Sequence, residues 1–258
     1  MNILCPICKN PLIKENTCYK CINRHSYDLS KEGYLNLNTH PSKNSGDEKQ
    51  MIRARSHFLN KDCYAFLKRE IDQILVSNNS QQLIDLACGE GYYTSYFHVK
   101  DKIGIDLSKE GLKLAAKKDK SSFYLLASIF NTCLEDHCAD SILTCFAPLA
   151  KEEVGRLLKK DGIFIFIKPG ARHLFELKEA VYDKAYLNKE EIDEIAGFDV
   201  FKSYEINDKR ILDNETIKEL FMMTPYSHKT ARSDIEKLDK LDDLAVTFSF
   251  IITIYKKM

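Results

Sequence analysis

Seven short apolar runs cross the chain from residue 82 onward: QLIDLAC (82–88), KIGID (102–106), FYLLA (123–127), SILTCF (141–146), GIFIFIK (162–168), DVFKSYEI (199–206) and VTFSFIITIY (246–255). Runs this short and this apolar pack as strands with both faces covered. The stretches between them, read as helices at 91–98, 108–118, 150–160, 173–182 and 214–222, supply the cover. A chain built this way folds as an α/β domain around a mostly parallel sheet. Its last two runs, separated by a long polar insert, are expected to close the sheet as an antiparallel hairpin. Upstream, MIRARSHFLNKDCYAFLKREIDQILVSN has apolar residues at helical spacing and predicts one or two helices. The preceding THPSKNSGDEKQ (39–50) has no apolar periodicity and is read as a linker.

The front of the chain is of another kind. CPICKNPLIKENTCYKCINRH (5–25) presents five metal-ligand side chains, where a tetrahedral zinc ion takes four. Each C-x2-C pair turns two sulfurs toward one point, so Cys5, Cys8, Cys18 and Cys21 make one complete set. Cys5, Cys8, Cys21 and His25 make another, and spacing leaves both open. A segment with so few large apolar groups needs the metal to fold around. With all four positions filled by protein, no site is left for an activated water, so the zinc is structural. Cys63, Cys88, Cys133, Cys138 and Cys145 are scattered through strand and helix candidates and read as buried small hydrophobes rather than disulfide partners. The start of the chain lacks the pattern of a signal peptide, and no apolar run approaches the roughly 20 residues of a membrane span. A cytoplasmic protein without a membrane partner is expected. The 38 basic residues balance 38 acidic ones, so net charge does not advertise a nucleic-acid partner.

The first strand runs into Asp85-Leu-Ala-Cys88-Gly89-Glu90-Gly91, a D-x-x-C-G-x-G turn where glycine lets backbone approach a ligand closely. The dinucleotide motif requires a third glycine, and that position is Thr94, which argues against NAD. The turn fits S-adenosylmethionine (SAM) enzymes instead. There it meets the methionine moiety, and an acid ending the second strand, here Asp106, accepts hydrogen bonds from the ribose hydroxyls. The adenine is expected by Ala127 and Ser128. Phe146-Ala147-Pro148 loosely echoes the proline-containing loop with which base-modifying methyltransferases hold an acceptor nitrogen. KPGARHLFELK brings Arg172 and His173 to the carboxyl end of the sheet, where ligands bind in such folds. Arg53 and Arg55 are candidates for phosphate contacts or for a solvated helix face, and Tyr64 for a cover over the cofactor.

Taken along nearly its whole length, the chain resembles the bacterial 23S ribosomal RNA guanine-N1-methyltransferases. The resemblance is carried by CPIC, C-x3-H followed by KEGYLNL, SGD before MIRAR, LACGEGYYT, GIDLSK, FAP, PGARHLFELK and MMTPYS. It implies a class I SAM-dependent methyltransferase, a Rossmann-like seven-stranded sheet with a small N-terminal zinc module, and zinc ligands Cys5, Cys8, Cys21 and His25, with Cys18 left out. It further implies SAM contacts from Tyr64, the Cys88-Gly89 loop and His173, and a guanine in a hairpin loop of 23S rRNA as substrate. The expected division is 1–37 for the zinc module, 38–80 for linker and helices, and 81–258 for the methyltransferase domain. Methylation at guanine N1 requires removal of a proton, for which His173 is the candidate by position, because Asp106 is committed to the ribose. Lys14, Lys20 and Arg24 are expected to let the zinc module grip RNA. Two other readings stand beside this one: a SAM methyltransferase acting on another RNA, a protein or a small molecule, and a non-catalytic zinc- and SAM-binding RNA-binding protein. Which guanine is modified, any role in drug resistance, and whether the chain forms a homodimer are left open.

Overall fold

The computed structural model describes residues 1–39 and 49–258; most of the expected linker, 40–48, lies outside them. The front of the chain forms three short strands, β1 (Ile13–Glu15), β2 (Cys18–Lys20) and β3 (Ser26–Asp28), paired antiparallel in that order. After β4 (Tyr34–Asn36) come helices α1 (Lys49–Asn60) and α2 (Ala65–Ser77). The alternating part follows: β5 (Gln82–Leu86), β6 (Asp101–Asp106), α3 (Lys109–Lys118), β7 (Phe123–Leu126), β8 (Ala139–Cys145), α4 (Lys151–Leu157), β9 (Leu158–Pro169), α5 (Phe175–Val181), β10 (Phe198–Asp213), α6 (Asn214–Met222) and β11 (Asp243–Lys257). None of the helices among the described residues is long and apolar enough to cross a membrane.

The main sheet runs β10-β11-β9-β8-β5-β6-β7-β4. Strands β4 and β7 to β9 with β5 and β6 pair in parallel, while β11 is antiparallel to both β9 and β10. The seven expected strands are all present, and the closing hairpin is there. The eighth strand, β4, comes from the zinc-binding segment: Tyr34 to Asn36 lie beside Tyr124 to Leu126. The expected boundary at residue 37 therefore falls just behind a strand that extends the main sheet.

Alternation along β9 shows how both faces are covered. Ile163, Ile165 and Ile167 join the core that holds Phe58, Leu67 and Phe248, whereas Phe164 and Phe166 point into the core on the opposite face with Ile84 and Ile105. That second core also contains Ile3, Cys5, Leu12 and Cys21, so the metal-binding segment shares its hydrophobic interior with the sheet. Backbone contacts fix the same junction. The Leu4 amide donates to the Cys133 carbonyl at 2.7 Å, Ile3 bridges Leu134, and the N-terminal ammonium meets Asp101 at 3.1 Å.

The helix expected over 91–98 is replaced by a series of turns. Lys102, 4% exposed, donates to the carbonyls of Thr94 and Phe97 at 2.9 and 2.8 Å, removing acceptors that a continuing helix would use. The helix expected over 150–160 ends at Leu157, since Leu158 already begins β9.

Candidate functional site

Two places gather chemistry. The first is the metal cluster. The ligand atoms of Cys5, Cys8, Cys21 and His25 all lie within 4.8 Å of one another. His25 Nδ1 is 3.4 Å from the sulfurs of both Cys5 and Cys21, and the Cys8 and Cys21 sulfurs are 3.5 Å apart. Tetrahedral zinc with Zn–S bonds of about 2.3 Å separates its ligand atoms by about 3.7 Å, so the set fits that ion with Nδ1 as the histidine ligand. Hydrogen bonds from the Asn10 side chain and backbone bring the Cys8 thiol down to about 5, favouring the thiolate that binds metal. Cys18 stands apart: its thiol donates to the Glu15 carbonyl at 3.3 Å. The other five cysteines are buried or, in Cys145, half-buried, and none is disulfide-bonded.

The second place is a cavity of about 950 Å³ at the carboxyl ends of β5, β6, β8 and β9. Strand order reverses about β5, which is followed on one side by β6 and β7 and on the other by β8 and β9; this switch point is where open α/β sheets bind ligands. Helix α1 contributes Met51, Arg55 and Leu59 to the wall, and the 223–226 segment closes another side. Tyr64, Asp85, Cys88, Gly89, Glu90, Asp106, Pro148 and His173 all line the cavity, as does Arg55. Gly91, Ser128, Arg53 and Arg172 do not. Gly91 has φ +72°, and a Cβ there would stand 2.6 Å from the Tyr124 hydroxyl, so its need for glycine is met inside the protein. Ser128 follows β7 and accepts from the Phe130 amide, while Arg53 and Arg172 are exposed, Arg172 beside Glu176 and over the Phe175 ring.

The cofactor turn is held by its acids. Asp106 accepts from the Gly89 amide at 2.7 Å and the Ser108 amide at 2.6 Å, one on each carboxylate oxygen. Ala87 and Gly89 have positive φ, and a Cβ on Gly89 would meet nothing nearer than Arg55 Nη1 at 3.9 Å, so the turn is open to a ligand on that side. Asp85 is 2% exposed and takes a 2.5 Å hydrogen bond from Thr94. Burial, aided by the neighbouring Asp106 charge and opposed by Thr94, raises its carboxyl from 3.8 to about 7.

This shift has a sign. Between pH 3.8 and about 7 the folded protein holds a proton on Asp85 that the unfolded chain has released, so the contribution to stability falls as pH rises through that window and is flat above it. Asp85→Asn is expected to raise the thermal midpoint of the cofactor-free protein at pH 8 and to leave it nearly unchanged at pH 4. Calorimetry at the two pH values checks this; an equal effect at both would contradict it.

His173 sits among rings. Phe250 is 4.8 Å away, Tyr64 6.2 Å, and Phe146 stacks at 6.3 Å with a 15° interplanar angle. The Ser249 amide points at His173 Nδ1 at 3.3 Å. Burial, with the Lys178 charge behind it, brings the imidazole down to about 3. A neutral ring whose Nδ1 accepts carries its proton on Nε2 and can donate there, but it has no free acceptor for a substrate proton.

The wall also holds tyrosines that the sequence did not single out, beside Glu90 of the cofactor turn, which it did. Buried oxygens of Glu90, Tyr92 and Tyr93, all at the cavity, have no hydrogen-bond partner among the described residues. Buried polar atoms are almost always paired, so unpaired ones around one cavity mark groups that a ligand would satisfy. Together with the open turn and the paired strand-end acids, the Tyr92 and Tyr93 hydroxyls fit a nucleoside cofactor bearing amino and hydroxyl groups. The tyrosines of LACGEGYYT carried this signal only as parts of a resemblance.

Strand order and cavity define the class, an α/β domain with a ligand site at the switch point of its sheet. The chain belongs to the methyltransferase-domain family, whose sequence model matches residues 77–221, and SAM is the cofactor. The RlmA N-terminal zinc-ribbon model matches residues 3–45, the segment that carries the metal cluster. Among curated relatives, the chain is 28% identical over 273 residues to YxjB of Bacillus subtilis (strain 168), provisionally named a 23S rRNA (guanine-N(1)-)-methyltransferase, covering 98% of this chain and 96% of that one. It is 27% identical to the 23S rRNA (guanine(748)-N(1))-methyltransferase of Streptomyces fradiae, over 69% of this chain and 66% of the relative. The malonyl-[acyl-carrier protein] O-methyltransferase of Serratia marcescens is 28% identical over 46% of this chain and 52% of its own length.

Proposed function

We propose that this protein transfers a methyl group from SAM to N1 of a guanine in a hairpin loop of 23S ribosomal RNA. The observation that carries the reading is the joining of a zinc ribbon to the methyltransferase domain, with similarity running through both to a relative named for that reaction. Similarity to the Serratia carrier-protein enzyme is confined to under half of the chain, as expected for a shared cofactor domain.

SAM supplies an electrophilic methyl group that needs no further activation. The protein's task is to hold acceptor and donor in line. In this reading Asp106 holds the ribose, Asp85 and the Cys88-Gly89 turn hold the methionine end, and Tyr64, buried beneath His173 and Phe250, forms the floor. Phe146, 41% exposed at the cavity rim, and the adjoining Pro148 offer an apolar face against which an extruded base can stack. His173 acts as a donor through Nε2, suited to a purine carbonyl, rather than as the base expected from its position. On the ribbon, Lys14 and Arg24 are exposed and remain for RNA contact, whereas Lys20 is engaged by Glu15 at 2.8 Å.

The reading is tested by incubating the zinc-loaded protein with methyl-labelled SAM and, separately, large-subunit RNA, small-subunit RNA and acyl-carrier protein. Label is expected in the large-subunit RNA alone, as N1-methylguanosine after nuclease digestion. Label in the carrier protein, or SAM binding without any transfer, would overturn it in favour of the other two readings.

A further inference from the structure

The base that N1 methylation requires is not supplied by His173, and Asp106 is turned to its own loop. One further acid stands at the cavity. Glu90 lies in the cofactor turn, is 5% exposed, and its Oε2 has no hydrogen-bond partner among the described residues. The Ser56 hydroxyl of α1 hydrogen-bonds its carboxylate, and Arg55, Lys118 and the His57 ring are the other polar groups that face it. Glu90 borders the main cavity and also an adjoining polar one of about 430 Å³, so it stands where the two spaces meet.

We propose that Glu90 reads the acceptor guanine and takes its N1 proton, an inference that rests on the guanine-N1 reading above. Guanine presents two donors side by side, N1–H and an N2 hydrogen, and a carboxylate accepts two parallel N–H bonds. Neither adenine nor the pyrimidines offer that pair to an ionised acid. In the reaction the N1–H bond breaks, the proton passes to the Glu90 carboxylate, the released electron pair forms the N1–CH3 bond, and the sulfonium recovers its bonding pair as a neutral thioether. Charge balances: one carboxylate and one sulfonium disappear, and the methylated guanine is neutral. Burial raises the Glu90 carboxyl above its ordinary value, against the pull of Ser56 and the nearby cations, which strengthens it as a base. Tyr92 and Tyr93, the other groups with unpaired oxygens at the cavity, are held further from ionisation by burial and serve as donors.

Glu90→Gln keeps the size and polarity of the side chain. Single-turnover transfer to large-subunit RNA is expected to fall by about 100-fold or more in this variant, with SAM affinity, measured by calorimetry, retained. The residual rate should climb by about tenfold per pH unit toward the ionisation of guanine N1 itself, where the wild-type rate is flat. Inosine at the target position, which lacks the N2 group, should weaken RNA binding about tenfold for the wild type and leave the variant indifferent. An unchanged rate and pH profile in Glu90→Gln, or a loss of SAM binding in step with activity, would overturn the assignment. Failure of the underlying reading looks different, because the wild-type product would then not be N1-methylguanine.

Discussion

Replacing Cys21 by serine is expected to lower the thermal midpoint of the zinc-loaded protein by about 10 °C, from a loss of roughly 4 kcal/mol spread over a domain of this size. Cys5 and Cys21 are 0% and 6% exposed and belong to the core that also holds Ala127, Ile129 and Leu134, residues at and beyond the carboxyl end of β7. Zinc ties these cysteines to Cys8 and His25, and a structural zinc binds small modules with about 10–16 kcal/mol of apparent free energy, so an incomplete shell loses much of what orders the segment. The loss does not stay in the ribbon. Strand β4 is the edge of the main sheet, and Leu4 is bonded to Cys133, so the sheet beside β7 loses a neighbour when the ribbon melts. Cys18→Ser should leave the stability within about 0.5 kcal/mol of the parent, as for surface changes generally. Calorimetry on the two variants, with zinc content measured alongside, checks the pair. Equal destabilisation by both would return Cys18 to the ligand set.

Asp106→Ala carries the second large effect. The carboxylate is expected to accept both ribose hydroxyls while holding the Gly89 and Ser108 amides in place. Hydrogen bonds to a charged group contribute about 1.5–3 kcal/mol each, so loss of the two ribose bonds alone should weaken SAM binding by about 100-fold or more. Asp106→Asn, which keeps one acceptor oxygen, should fall between the parent and alanine. Titration calorimetry with SAM separates the three proteins, and affinity unchanged in Asp106→Ala would remove the residue from the cofactor site.

Much of this architecture could be read from residue patterns. The five parallel runs and the closing hairpin announced themselves because buried strands are nearly continuous apolar segments, and GIFIFIK divides its residues between two cores as alternation requires. What escaped detection has specific causes. Strand β4 is three residues long, too short for any period to register. The helix expected at 91–98 was undone by Lys102, a buried ammonium from the next strand that takes two carbonyls. In the site, the cofactor turn was visible because its glycines and acids are adjacent in sequence. The cavity wall was not, since residues 51 to 226 converge on it through long-range packing. His173 was placed at the sheet end, but its neutral state follows from burial and its tautomer from the Ser249 amide 76 residues away. Lys20 looked free for RNA until β1 and β2 paired and set it against Glu15.

The central claim is the address of the methyl group, and mass mapping of large-subunit RNA tests it most directly. RNA from cells with the gene and from cells without it would be digested to defined fragments and each methylated guanine located. Disappearance of a single N1-methylguanine, in a hairpin loop, on loss of the gene is the predicted result. An unchanged map, with the purified protein still binding SAM and zinc, would contradict the account.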